Sequence, residues 1–152
     1  MNENQKFDSL SKELTFLTCE LSRACQNKEK FFASTFNLTL AEFKCLRLFT
    51  GRSYLSIKEL ASEMNITPGR ITHILTSLED KKFILRKIDQ TDRRNVIVHL
   101  TSKSEPFIKN LNESHVKQHK EILDKIAPEN RDLVISAIKD LIKAIKHWSE
   151  KS

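Results

Sequence analysis

Residues 56–80 read SIKELASEMNITPGRITHILTSLED, and the spacing within them decides the fold. Ser56 followed three residues later by Glu59 is a capping box: hydroxyl and carboxylate satisfy the free amides at a helix start. Ile57, Leu60, Ala61 and Met64 recur at helical spacing, so a short helix with one apolar side follows. Asn65-Ile66 makes a turn. Thr67-Pro68 then opens another helix, because Thr67 can cap orphan amides and Pro68 at the first position forfeits no intrahelical bond. Ile71, Ile74, Leu75 and Leu78 share one face of it. Gly69, His73 and Thr76 lie opposite, with Arg70, Thr72 and Ser77 on the flanks. Two short helices joined so tightly read as a helix-turn-helix.

On the C-terminal side the pattern changes to β-type runs, Phe83 to Ile88 and Val96 to Leu100, separated by the polar turn Asp89-Gln90-Thr91-Asp92-Arg93-Arg94-Asn95. Two strands with such a turn predict a hairpin. The net charge of the chain is +6, and residues 81–94 alone hold six basic side chains against two acidic ones. A local excess of this kind is the footprint of a surface for polyanions, although a charge run is also what a merely solvated face looks like. The second helix is long enough to enter a major groove, where Arg bonds guanine and Thr methyls touch thymine. Thr67, Pro68, Gly69, Arg70, Thr72, His73 and Thr76 are therefore candidate DNA contacts on the helix. Arg86, Lys87, Arg93 and Arg94 are candidates on the hairpin, its tip reaching phosphates or a narrowed minor groove.

On the N-terminal side, Thr39 and Glu42 form a further capping box for a helix through Phe49, stopped by Gly51. Before it, a helix is expected from about Phe7 to Phe31. Phe7, Leu10, Leu14, Leu17, Leu21 and Ala24 step by 3 and 4 in the manner of a coiled-coil seam, which Lys28 breaks. Beyond the hairpin, Thr101 is expected to cap a fifth helix continuing to Ile126. Pro128 opens the last, in which Val134, Ile138, Leu141, Ile145 and Trp148 again step by 4 and 3. The expected fold is mainly α with a small β-hairpin wing. A winged helix-turn-helix lobe over 39–101 sits between long dimerisation helices at 1–38 and 102–152, all in one integrated domain. Closing long stripes at both chain ends is easier across a two-fold axis than within one subunit, so a homodimer is expected.

Four pieces of this sequence, in order, resemble the MarR family of winged-helix regulators. They are Leu38-Thr39 with Leu46; Ile57 to Ala61 followed by Asn65-Ile66-Thr67; Leu78 to Lys82; and Asp92-Arg93-Arg94 leading through Val96, Val98 and Leu100 to Thr101. The resemblance implies a triangular homodimer built from first, fifth and sixth helices, with two lobes on a pseudo-palindromic operator of double-stranded DNA. It implies a ligand-responsive repressor, released by a small aromatic or phenolic effector. It also implies that Asp92 orients the wing by pairing with a nearby basic group while Arg94 meets DNA. The chain departs from the pattern at Lys82 and Ser104, where glycine is usual, and at His73, where a basic residue is common.

Other chemistry finds little support. No Gly-rich phosphate loop, Ser-His-Asp arrangement or metal motif is present, so an enzyme is not expected and neither is a cofactor. No apolar run reaches the ~18 residues of a membrane span, and the polar start lacks a signal peptide, so the expected location is the cytoplasm without membrane association. Cys19, Cys25 and Cys45 are odd in number with no CxxC spacing, which favours buried, reduced thiols over disulfides, zinc or a redox role for Cys19 or Cys25. His115 and His119 are spaced to share a metal, yet no third ligand is placed beside them; surface or interface histidines are the plainer reading. The nine phenylalanines read as core before they read as a ligand pocket. The competing reading of the lobe is a protein-interaction module without sequence-specific DNA binding.

Overall fold

The computed structural model describes residues 2–151. The chain divides into two units, Met1–Leu111 and Asn112–Ser152, with the fifth helix running out of the first into the second.

In the first unit, α1 (Glu3–Thr35) starts earlier than its seam suggests, because Asn2 and Gln5 form a capping box of their own, with bonds of 2.8 and 3.0 Å. It continues to Thr35, and Phe32 and Ala33 in its last turns enter the core. Asn37, at φ 57°, reverses the chain in the left-handed region that asparagine tolerates. α2 (Leu40–Arg47) and α3 (Ile57–Met64) open on the Thr39–Glu42 and Ser56–Glu59 boxes, both with reciprocal bonds formed. α2 stops at Arg47 rather than Phe49, the chain passing through a turn to Gly51 at φ 75°. Asn65, at φ 52°, ends α3, and the Thr67 hydroxyl accepts from the Arg70 amide to begin α4 (Pro68–Asp80).

The β structure is a three-stranded antiparallel sheet in the order β1–β3–β2, formed by Tyr54–Ser56, Val96–Leu100 and Ile84–Ile88. The hairpin expectation is therefore incomplete. A third strand pairs Leu55 with Val98 on the other edge of β3, and three residues are too few to display an alternation. Thr101 also departs from expectation. α5 (Ser104–Asp124) begins three residues later, and the Thr101 hydroxyl instead bonds the Lys82 carbonyl at 2.7 Å, tying the sheet's end to the end of α4. Ser104, fully buried, donates its hydroxyl to the Phe83 carbonyl, so serine at this place has a bond that glycine could not make.

The core of this unit joins Phe43, Leu46 and Phe49 to Leu60, Ile71, Leu75, Leu78, Ile84, Val98, Ile108 and Leu111. Four of the nine phenylalanines are buried, and Phe36 and Phe107 pack against them. Phe7, Phe16 and Phe31 are exposed. Cys45 is buried as expected, but Cys19 and Cys25 are exposed. The reason is geometric: only the last turns of α1 enter the core, whereas both thiols lie upstream.

The second unit contains the rest of α5, a 3₁₀ turn at Pro128–Asn130 and α6 (Arg131–Glu150). The His115 and His119 rings meet edge to face at 4.6 Å, and His119 Nδ1 lies 2.7 Å from the His115 carbonyl oxygen. Among the described residues no three potential ligands converge on a metal position. No described helix is long and apolar enough to cross a membrane.

Candidate nucleic-acid interface

α4 sorts its side chains by the helical period. Ile71, Ile74, Leu75 and Leu78 are buried, whereas Thr67, Pro68, Gly69, Arg70, Thr72, His73 and Thr76 are all exposed on the other side. The Thr72 and Thr76 hydroxyls donate to carbonyls four residues back, at 2.9 and 3.0 Å. That leaves their oxygen lone pairs and methyl groups for an incoming ligand. The first turn of α4 carries no acidic residue, so apart from the Thr67 cap on the Arg70 amide its positive end meets solvent.

The wing loop is a small structure in its own right. Asp89 N–H donates to the Asn95 carbonyl and Asn95 N–H to the Asp92 carbonyl, both at 2.9 Å. The Asp92 carboxylate accepts from the Arg94 amide at 3.1 Å and from Asn95 Nδ2 at 3.4 Å. The basic group it pairs with is Arg94 itself, Nε to Oδ1 at 3.7 Å, with the Arg94 side chain 95% exposed. A pair so exposed contributes little and opens readily for a phosphate. The Asp89 carboxyl lies below its ordinary range chiefly because it accepts from the Thr91 amide and hydroxyl.

Arg86 and Lys81 are placed differently from the other cations of this segment. Arg86 grips Glu79 through Nε and Nη2, at 3.0 and 2.6 Å, and its backbone N–H donates to the same carboxylate at 3.1 Å. These bonds hold the Glu79 carboxyl below its ordinary value. The sequence puts Arg86 among the DNA contacts; in the structure its guanidinium is engaged by the last turn of α4. Lys81 donates to Glu42 Oε2 at 2.7 Å and to the Asn37 carbonyl at 3.0 Å. Glu42 is 2% exposed and also accepts from Ser77 and from the Thr39 amide. Burial alone would raise its pKa, but the bonds from Lys81, Ser77 and Thr39 outweigh burial and hold it below 4.5. Sequence reasoning missed both carboxylates. Glu42 announces itself only as a cap, and Glu79 meets Arg86 around a helix-to-strand corner that no periodicity reveals. Lys87, Arg93 and Arg94 remain exposed, as the sequence reading requires of DNA contacts.

Between α4 and β2, Lys82 adopts φ 66°. A left-handed residue is therefore required here, and lysine fills the position despite the cost to a side chain with a Cβ.

Comparison with known proteins agrees with this geometry. Residues 38–96 match the model of the MarR family. The HTH-type transcriptional regulator SarZ of Staphylococcus aureus is 25% identical over 142 residues, covering 93% of this chain and 95% of SarZ. Wild-type MarR from E. coli, solved in its apo form, superposes with a TM-score of 0.70 at 20% identity, over 87% of this chain and 95% of MarR. FabT of Streptococcus pneumoniae, solved in complex with DNA, superposes at 0.69 with 18% identity, over 93% of this chain and 99% of FabT. The lobe over 38–96 is thus similar to the MarR family, and most of the chain shares the fold of these solved MarR-type structures.

Proposed function

We propose that the chain is a sequence-specific transcriptional repressor that binds a pseudo-palindromic DNA site as a homodimer and lets go when a small aromatic or phenolic effector binds. One observation carries the DNA reading: α4 buries four apolar residues and turns Arg70, Thr72, His73 and Thr76 outward, beside a wing tip bearing Arg93 and Arg94. In this reading the outward residues of α4 meet base edges, Thr67 to Gly69 approach the backbone, and Lys87, Arg93 and Arg94 contact phosphate or the minor groove. Arg86 reaches DNA only by leaving Glu79. The dimer reading is supported by the stripes at both chain ends. Phe7, Leu10, Leu14, Leu17 and Leu21 on α1 and Ile138, Ile145 and Trp148 on α6 are 39–72% exposed in the single chain. Apolar rows of that length are covered in a stable protein, and a second copy offers the same rows. The effector and the sign of regulation rest on the resemblance of residues 38–96 to the MarR family.

The test is a titration by fluorescence anisotropy. A duplex selected by the protein from a random pool is compared with a scrambled duplex of equal composition. The selected duplex should bind more tightly, and affinity should fall by orders of magnitude between about 50 and about 200 mM salt as counterions compete for the phosphate contacts. Equal affinity for both duplexes, or none, removes the regulator reading and leaves α4 as a surface for a protein partner.

A further inference from the structure

The four apolar residues of α4 fix its position in the lobe but not its rotation. Apolar contact is non-directional, so a stripe of Ile71, Ile74, Leu75 and Leu78 tolerates a small roll of the helix about its axis. Hydrogen bonds are directional and do not. Among the described residues, directional side-chain bonds tie α4 to β2 through Glu79 and Arg86, and to another helix of the lobe through one set only. The Ser77 hydroxyl donates to Glu42 Oε1 at 2.5 Å, and the Lys81 ammonium to Glu42 Oε2 at 2.7 Å. Ser77 and Lys81 are one turn apart on the same side, so the two oxygens of one carboxylate hold two successive points along α4. Glu42 is itself pinned, its Oε2 accepting from the Thr39 amide at 2.9 Å. The same ammonium reaches the carbonyl of Asn37, the left-handed residue between α1 and α2, at 3.0 Å.

We propose that Glu42 is a positioning residue for DNA recognition: buried behind α4, it sets the roll of that helix through Ser77 and Lys81 and so decides where Thr72, His73 and Thr76 fall against base edges. The leverage is geometric. Side-chain tips stand about 6 Å from a helix axis, so a roll of about 10° moves them about 1 Å, enough to spoil a hydrogen bond to a base. Contacts from the wing tip to phosphate come from another element and do not depend on that roll. Glu42 thus governs discrimination between sequences and leaves non-specific affinity almost untouched. The inference rests on the DNA reading above.

Lys81, capping α4, and Cys45, on the same helix, present titratable groups to this carboxylate. Burial, and then Glu42 itself, push the Cys45 thiol up to about 12, so it stays neutral.

The test uses the full-length protein with the selected and scrambled duplexes. Glu42→Gln keeps the shape and an acceptor for the Thr39 amide but cannot hold Ser77 and Lys81 as an anion does. It should lose about tenfold on the selected duplex, the scale on which residues without ligand contact modulate binding, and less than about twofold on the scrambled one. Ser77→Ala should lose in the same sense, and Ser77→Thr, which keeps the hydroxyl, should bind as the parent does. Should Glu42→Gln fail to fold by circular dichroism, Ser77→Ala decides, since it leaves the bonds to Lys81 and Thr39 in place. If both duplexes weaken together, or the variants bind the selected duplex like the parent protein, the network is structural only and the proposal is overturned. A parent protein that does not discriminate between duplexes fails the DNA reading itself, which is a different result.

Discussion

Replacing Lys82 by glycine should make the protein more stable, and the size of the gain follows from one torsion angle. Lys82 joins α4 to β2 at φ 66°. Its backbone cannot relax, because its N–H donates to the Glu79 carbonyl at 2.9 Å and its carbonyl accepts the Thr101 hydroxyl at 2.7 Å. A residue with a Cβ held in the left-handed region costs about 1–2 kcal/mol. Glycine removes that cost but brings greater freedom to the unfolded chain, worth about 0.5–1 kcal/mol. The net gain is about 0.5–1 kcal/mol, which for a chain of this size raises the melting temperature by about 1–4 °C. The assay is urea unfolding followed by far-UV circular dichroism, at one fixed protein concentration because a dimer's stability depends on concentration. Lys82→Ala is the control, since it loses the same charge yet keeps the Cβ and should stay within about 0.5 kcal/mol of the parent. Equal gains for glycine and alanine would show that the side chain, not the torsion, was the burden, and a loss for glycine would refute the strain outright. Because both variants lack the same positive charge, any difference in their DNA affinity isolates the backbone at the helix–wing junction.

Arg94→Ala should weaken binding to selected and scrambled duplexes alike and lower the salt slope by about one, as loss of a single phosphate contact requires. Unchanged affinity would take the wing tip out of the interface. Substituting Thr72 or His73 should instead change which bases are enriched in a repeated selection, and an identical enriched sequence would place both residues outside base readout. The folded Glu42 carboxyl titrates below 4.5. Its contribution to stability is therefore complete above that value and lost as pH falls through the lower folded one. Urea midpoints of Glu42→Gln should converge on those of the parent protein in that acid range, and parallel pH curves would contradict the shift. Leu14→Glu combined with Leu17→Glu should shift sedimentation toward monomer, and a persistent dimer would exclude the α1 stripe from its interface.

Local signals were legible because their partners lie three or four residues away. The boxes at Thr39–Glu42 and Ser56–Glu59 and the Thr67 cap with Pro68 all involve neighbours in sequence, and all are formed. Signals that needed a distant partner were not legible. β1 exists because Tyr54, Leu55 and Ser56 find the free edge of β3, more than forty residues on. Thr101 has the composition of a cap and acts as a tie, since Lys82 and Phe83 carbonyls lie within reach of its hydroxyl and α5 does not begin until Ser104. The exposure of Cys19 and Cys25 has the same origin. Burial of a small apolar residue on a long helix depends on what covers that face, and the sequence of the helix does not say.

Charge shows most clearly why a count is not a surface. Residues 81–94 carry six cations, and a count treats them as equivalent. In the fold Lys81 is drawn inward by Glu42, and Arg86 is drawn back by Glu79. Both carboxylates lie outside the segment, so the partition is invisible within it. The outward field then comes from Lys82, Lys87, Arg93 and Arg94, with Asp92 screening Arg94. The two inward cations do different work. Each joins α4 to a neighbouring element, one to α2 and one to β2, so α4 is anchored through its own C-terminal turns. In the proposed reading the N-terminal half of α4 stays free of partners to meet DNA, and its orientation is set from the other end.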